Sequence, residues 1–201
     1  IGGLAALTGL FLLYRQLGTL SLDAMAAAAA GAEDRGLLWV GGLLVLVGFG
    51  AKAGAFPLHI WLPTAHPAAP APASAVLSGV ITKTGIYGVL VLSTTVFLPD
   101  KQWGMLLAVL GAVTMVLGAV LAVLSVDLKR TLACSSISQI GFILVGTAML
   151  CLLGEHNALA VDGTILHILN HSLIKMVLFP AAGIIHLTTH SFDLNDIRGF
   201  G

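Results

Sequence analysis

Three lysines lie inside stretches of the chain that are otherwise apolar enough to cross a membrane. Lys52 follows GGLLVLVGFGA, Lys83 follows SAVLSGVIT and Lys175 follows HILNHSLI. An ammonium near the centre of a bilayer costs about 2.5–3.5 kcal/mol even on lenient insertion scales, so such lysines are normally buried in a helix bundle beside water or a partner. The sequence places no Asp or Glu where it would neutralise them. The pattern predicts a path for protons or cations through a membrane.

A second group of titratable residues repeats every four positions. His167, His171 and Lys175 stand in HILNHSLIK, and a helix turns about 100° per residue, so the three share one stripe about 6 Å apart in rise. A proton can cross such gaps through one or two waters. The alternative is a metal site, but HILNH lacks the Glu of the metalloprotease motif and no third ligand is evident. The stripe therefore favours proton transfer, and no metal is predicted.

Prolines predict an interruption beside the first lysine. Five of the seven prolines fall in PLHIWLPTAHPAAPAP, from Pro57 to Pro72. Proline lacks the backbone N–H and crowds the preceding turn, so we expect no continuous helix between residues 56 and 74. The break, near residues 52–63, is marked by Pro57 and Pro63 and leaves Lys52 at its unwound edge. Pro180, five residues after Lys175, predicts a kink at Met176.

Composition excludes a soluble domain. Hydrophobic residues make up 58% of the chain and charged residues 9%, with a mean hydropathy of +1.02, far from the averages of soluble proteins. Nine basic against nine acidic residues give no sign of nucleic-acid binding. Two cysteines in apolar surroundings indicate core residues. No nucleotide loop, CxxC pair or nucleophile triad is present, so no cofactor is predicted.

The elements that would position these residues are transmembrane helices. Apolar segments of about 20 residues span a bilayer, and six occur at or near that length, approximately at 2–14, 36–56, 74–98, 103–126, 131–153 and 163–187. An alanine-rich connector, LSLDAMAAAAAGAEDRG, follows the first. The predicted fold is an all-α polytopic bundle. Lys129 and Arg130 are expected at a solvated turn, and Gly50 and Gly54 are expected to form a helix-packing pair.

Three ordered blocks resemble one known family. They are KAGAFPLHIWLPTAHPAAPAPASAVLSGVITKTGIYG, DLKRTLACSSISQIGFILVG and HILNHSLIKMVLFPAAG. The sequence is similar to the proton-conducting antiporter family, which includes large membrane subunits of respiratory complex I, multisubunit Na⁺/H⁺ antiporters, and membrane-bound hydrogenase or formate hydrogenlyase complexes. The resemblance covers nearly everything from Gly36 to Gly201.

The resemblance implies two inverted five-helix repeats, each with a broken helix. Residues about 1–98 would end the first repeat and about 103–201 would begin the second, so the chain is expected to be a fragment of one transporter domain. Lys52 would be the lysine of the first broken helix, Lys83 the connecting lysine, and the histidine stripe part of the central axis. A glutamate partner of Lys52 is expected upstream. The Pro-rich loop and the DLKR turn would face the cytoplasm or matrix.

The sequence is compatible with three functions. The leading one is a proton-translocating subunit of a redox-driven complex, either NADH–quinone oxidoreductase or membrane-bound hydrogenase, with its electron chemistry in other subunits. The alternative is a subunit of a multisubunit Na⁺/H⁺ antiporter without redox chemistry. A scaffold that conducts nothing leaves the three lysines unexplained. Expected partners are other membrane subunits, lipid, and H⁺ or Na⁺, in a bacterial or archaeal cell membrane.

Overall fold

The computed structural model describes residues 1–32, 34–98, 100–156 and 158–199. Within these ranges the chain is a helical bundle with no strand and one isolated bridge, between Asp127 and Asp193, which confirms the all-α prediction. The helices are α1 (Gly2–Leu17), α2 (Leu22–Ala30), α3 (Arg35–Ala53), α4 (Trp61–Ala68), α5 (Ala71–Val76), a π-helical segment (Leu77–Ile81), α6 (Thr82–Thr95), α7 (Lys101–Val123), α8 (Leu128–Leu153), a short 3₁₀ turn (Gly154–His156) and α9 (Ala158–Thr189).

Five stretches of the described chain are long and apolar enough to cross a membrane. They are α3, α7, α8, α9 and the continuous rod formed by α5, the π segment and α6. The first predicted span forms α1, whose 16 residues fall short of that length. The alanine-rich connector contains the short helix α2 rather than only irregular chain.

The predicted helix break lies after Ala53. Gly54 ends α3 in the left-handed conformation, with φ 84°, which glycine adopts without steric cost. Helix α4 begins at Trp61, and the Trp61 indole Nε1 donates to the Ala51 carbonyl at 2.7 Å, so it caps the end of α3. Pro57 lies in the break, whereas Pro63 lies in the first turn of α4, where no intrahelical N–H bond is lost. Gly54 thus ends a helix instead of packing one.

Pro180 does not interrupt its helix. Helix α9 is assigned as one helix from Ala158 to Thr189 with Pro180 inside it. Helix α9 has no break at Met176, in contrast to the chain after Ala53, and the kink expected at Met176 stays a prediction.

Small residues let neighbouring helices approach closely. A Cβ at Gly111 of α7 would lie 2.9 Å from the Gly141 carbonyl oxygen of α8, and a Cβ at Gly141 would lie 2.6 Å from the Gly111 carbonyl oxygen. A Cβ at Gly85 of α6 would lie 2.6 Å from backbone atoms of Phe49 and Ala53 in α3. Close backbone contact of this kind is the usual means of helix association in lipid.

The two ends of the bundle are closed by different contacts. At one end Asp100 accepts from the backbone N–H groups of Gln102 and Trp103, capping α7, and from the Trp39 indole at 3.1 Å. At the other end the segment after α9 returns to the start of α8, where the Leu128 N–H donates to the Phe192 carbonyl at 2.8 Å.

Candidate functional site

Lys175 is buried between α8 and α9. Its side chain is 2% exposed, and its Nζ donates to the Leu132 carbonyl at 2.8 Å and to the Ser135 hydroxyl. Both acceptors lie in the first two turns of α8 and both are uncharged. The charge is therefore held by neutral oxygens of a neighbouring helix.

The two histidines continue the same stripe. His171 is 3% exposed, and its ring centroid lies 6.4 Å from that of His167. Both ring nitrogens of His171 and Nε2 of His167 are buried without a hydrogen-bond partner among the described residues.

A cavity of about 200 Å³ opens beside this stripe. It is lined by Ser135, Gln139, His167, Asn170, His171, Ile174, Lys175 and Leu178. A cavity holds ordered water when it is roomy and offers two to four polar partners, and both conditions are met. The arrangement suits proton transfer between side chains through water.

Lys83 occupies the junction between the π segment and α6. It is 9% exposed, and its Nζ donates to the Ser78 carbonyl at 2.6 Å. It borders a groove that it shares with Ile168 and Ser172 of α9. The side chain therefore faces the helix that carries the histidine stripe.

Lys52 differs from the other two lysines. It stands in the last turn of α3 and its side chain is exposed. Helix α3 contacts α6 at Gly85, two residues from Lys83, so the two lysines lie on adjacent helices. The structure thus groups Lys83, His167, His171 and Lys175, and it leaves Lys52 at the edge of that group.

His66 is a buried titratable residue that the sequence analysis did not select. Its side chain is 0% exposed and stacks on Phe179 of α9 with ring centroids 4.5 Å apart. Burial, together with the charges of Lys175 and Lys129, lowers the pKa of His66 to about 4. Its position among prolines suggested an irregular loop, whereas LPTAHP forms most of α4.

Lys129 corrects the expectation of a solvated turn. It is 3% exposed, its Nζ donates to the Ala69 carbonyl at 2.7 Å, and it lies 4.5 Å from the centroid of the Phe192 ring. The α4–α5 loop and the segment after α9 fold over the start of α8 and cover the lysine. Arg130 remains exposed. The Asp127 carboxylate caps α8 by accepting from the backbone N–H of Arg130 at 2.7 Å.

The two cysteines lie in the core, as expected. Cys134 and Cys151 are buried free thiols. The part of the chain that the structure describes contains no group of three or more His, Cys, Asp or Glu side chains that could hold a metal ion.

Comparison with known proteins gives one consistent result. Residues 1–201 match the family model described as "NADH:quinone oxidoreductase/Mrp antiporter, TM". Hydrogenase-4 component B of Escherichia coli (strain K12) is 44% identical over 160 residues, which are 76% of this chain and 24% of that protein. NAD(P)H-quinone oxidoreductase chain 4 1 of Picosynechococcus sp. is 43% identical over 156 residues, 77% of this chain and 28% of that protein.

A solved structure shares the fold. A chain in the structure of the Mrp complex from Dietzia sp. DQ12-45-1b superposes with a TM-score of 0.82 and 30% sequence identity, covering 92% of this chain and 33% of that one. The chain thus spans about a quarter of the length of the two curated relatives and a third of the solved one.

Proposed function

Because the chain belongs to the NADH:quinone oxidoreductase/Mrp antiporter membrane family, we propose that it is part of a subunit that moves protons across a membrane in a redox-driven complex. The observation that carries the proposal is the pair of buried lysines, Lys83 and Lys175, held by neutral oxygens beside the buried His171 and the half-buried His167. Burying such charges costs free energy. Proton transfer requires titratable side chains at these positions, whereas helix packing does not.

The proposed path runs from Lys52 through Lys83 and the histidine stripe to Lys175. Carbonyl and hydroxyl oxygens accept hydrogen bonds from a lysine in either protonation state, so each lysine keeps its position when it gains or loses a proton. Two ammonium groups in a weakly polarisable interior repel each other, so a proton that arrives at one lysine promotes release from the other. Water in the cavity beside His167 and His171 would carry the proton between these histidines and Lys175.

The names of the relatives support a proposal for the parent assembly. They are named as components of hydrogenase-4 and of NAD(P)H-quinone oxidoreductase, so we place this subunit in such a complex, in a bacterial or archaeal cell membrane, with other membrane subunits as neighbours. Electron transfer would reside in those neighbours, and no cofactor is assigned to this chain.

Proton uptake into vesicles that contain the complete complex tests the proposal. Lys83→Ala and Lys175→Ala should each reduce uptake at least tenfold with assembly unchanged. Lys101→Ala is the matched control, because Lys101 is an exposed lysine at the start of α7, and it should transport normally. Normal uptake by both buried-lysine variants would refute a proton path through them.

A Na⁺/H⁺ antiporter subunit is the second candidate, since the solved structure with a TM-score of 0.82 is that of an Mrp complex. It predicts that proton movement depends on Na⁺ and continues without an electron donor. A subunit of a redox-driven complex predicts instead that proton movement does not depend on Na⁺ and stops without an electron donor.

A further inference from the structure

A buried pair of serines links the two lysine sites. The hydroxyl oxygens of Ser78, in the π segment, and Ser136, in α8, lie 2.8 Å apart. Both side chains are 0% exposed. A serine hydroxyl in a helix can bond a carbonyl of its own helix, whereas these two meet each other and so join the π segment to α8.

Each serine is tied to the acceptor of one lysine. Lys83 donates to the backbone carbonyl of Ser78 itself. Lys175 donates to the Leu132 carbonyl, and the Ser136 hydroxyl reaches the same carbonyl at 3.0 Å. A continuous series of contacts therefore runs from Lys83 through Ser78, Ser136 and Leu132 to Lys175.

The Leu132 carbonyl has more donors than it can satisfy. The hydroxyls of Ser135 and Ser136 lie 2.9 and 3.0 Å from its oxygen, and Lys175 Nζ lies 2.8 Å from it. A carbonyl oxygen offers two lone pairs, and within α8 the backbone N–H of Ser136 takes one of them. The three side-chain donors therefore compete for the position that remains. A strong charged donor wins such a competition over a neutral hydroxyl.

The π segment makes the other end of the series adjustable. Its wider turns weaken the regular backbone ladder, and such segments are frequent at functional sites. The Ser78 carbonyl accepts from the Thr82 hydroxyl at 3.0 Å as well as from Lys83. The Ser78–Ser136 hydrogen bond fastens this segment to α8.

We propose that Ser78 and Ser136 are positioning residues that couple Lys83 to Lys175 during proton translocation, an inference that rests on the function proposed above. When the Lys175 ammonium binds the Leu132 carbonyl, the Ser136 hydroxyl turns to Ser78. When Lys175 loses its proton, its donation to the Leu132 carbonyl weakens, so Ser136 donates to Leu132 and Ser78 donates to Ser136. The direction of the hydrogen bond that holds the π segment beneath Lys83 thus responds to the protonation of Lys175.

The test measures proton uptake by the complete complex in vesicles. Ser78→Ala and Ser136→Ala should each lower the rate about two- to tenfold, the equivalent of one net hydrogen bond, with assembly unchanged. The double variant should be no slower than the slower single variant, because the two hydroxyls act as one unit. If the double variant is slowed by the product of the two single-variant factors, the two serines act independently and the coupling is wrong.

A hydroxyl-retaining variant separates positioning from packing. Ser136→Thr keeps the donor and adds a methyl group, so it should transport faster than Ser136→Ala, whereas a purely steric role predicts the opposite order. Ser138→Ala is the control: Ser138 is 6% exposed, and its backbone lies against Gly118 of α7 rather than against the π segment. It should transport normally.

Lysine variants measured in parallel distinguish the two proposals. If Lys83→Ala and Lys175→Ala are inactive while both serine-to-alanine variants pump at the normal rate, the serine coupling is wrong and the proton path stands. If the lysine variants pump normally, the proposed function fails and the coupling fails with it.

Discussion

At the scale of single residues, the three membrane lysines have different environments although their sequence contexts look alike. Lys83 and Lys175 are buried and each donates to a backbone carbonyl. Lys52 is exposed at the end of a helix. The first two are held by contacts within this chain, whereas a switching role for Lys52 requires a carboxylate partner.

Substitutions of Lys52 test that role. In the complete complex Lys52→Ala should abolish or severely reduce proton translocation and leave assembly largely intact. Lys52→Arg should also impair it, because a guanidinium keeps its proton at any relevant pH and cannot act as a switch. The measurement is proton uptake by reconstituted complex, and full pumping by Lys52→Arg would show that Lys52 is no switch.

His66 should make the fold sensitive to acid. Its pKa is lowered from 6.5 to about 4 in the folded protein, so between those pH values the unfolded chain binds the extra proton. Stability therefore falls as the pH drops through this window, by up to about 1.4 kcal/mol per pH unit.

Thermal unfolding of the full-length subunit in detergent measures this effect. His66→Gln should lose less of its melting temperature between pH 7 and pH 4.5 than the parent protein. His190→Asn is the control, since His190 is exposed and its φ of 55° suits Asn. Equal acid sensitivity of His66→Gln and the parent would contradict the assignment.

At the scale of elements, the break after Ala53 places the charged end of α3 beside α4. Three features form this break. Gly54 is in the left-handed conformation, and the Trp61 indole donates to the Ala51 carbonyl. The Phe56 N–H donates to the Thr114 hydroxyl of α7 at 3.2 Å. These contacts fix where Lys52 emerges from the helix.

Two neighbouring glycines should respond to alanine with opposite signs. Gly54→Ala forces a Cβ into a left-handed residue with φ 84°, which costs about 1–2 kcal/mol. Gly50→Ala should stabilise α3 by up to about 1 kcal/mol, because its Cβ would meet no atom closer than 3.9 Å. Unfolding temperature measures both, and a stable Gly54→Ala variant would argue against this helix end.

The elements show what local sequence determines and what it does not. Hydrophobic runs and prolines predicted the long helices and the break near Pro57. Both signals are local, because the length of an apolar run and the missing N–H of a proline depend only on nearby residues. The burial of Lys129 and the pairing of Ser78 with Ser136 were not predictable from those patterns, since they depend on which helices become neighbours. His66 was missed for the same reason: its partner, Phe179, is more than 100 residues away in the chain.

At the scale of the whole molecule, the bundle separates two charged ends. Lys129 joins the α4–α5 loop to the start of α8 at one end, while Asp100 joins α3 to α7 at the other. The loop charges give no orientation under the positive-inside rule. Three basic residues fall on each side: Arg15, Arg35 and Lys101 on one, and Lys129, Arg130 and Arg198 on the other. From the family resemblance we expect the Lys129 end to face the cytoplasm or matrix.

Cysteine labelling tests that orientation. In full-length protein with its native cysteines replaced, Arg130→Cys should react with an impermeant thiol reagent from the cytoplasmic side and Gln102→Cys from the opposite side. Both positions are exposed, so reactivity reports the side and not burial. Labelling of both from one side would contradict a membrane-spanning α7, and reversed sides would invert the orientation.

The neutral surroundings of Lys83 and Lys175 have an electrical consequence. Each proton that binds there adds a full positive charge inside the bilayer, because the contacting oxygens are uncharged. A charge that crosses the entire membrane potential gains or loses about 2.3 kcal/mol per 100 mV, and a buried lysine experiences a fraction of that energy. Its proton occupancy therefore depends on voltage as well as on pH. A subunit that moves protons through these lysines, as proposed above, therefore senses the membrane voltage at the sites that carry the protons.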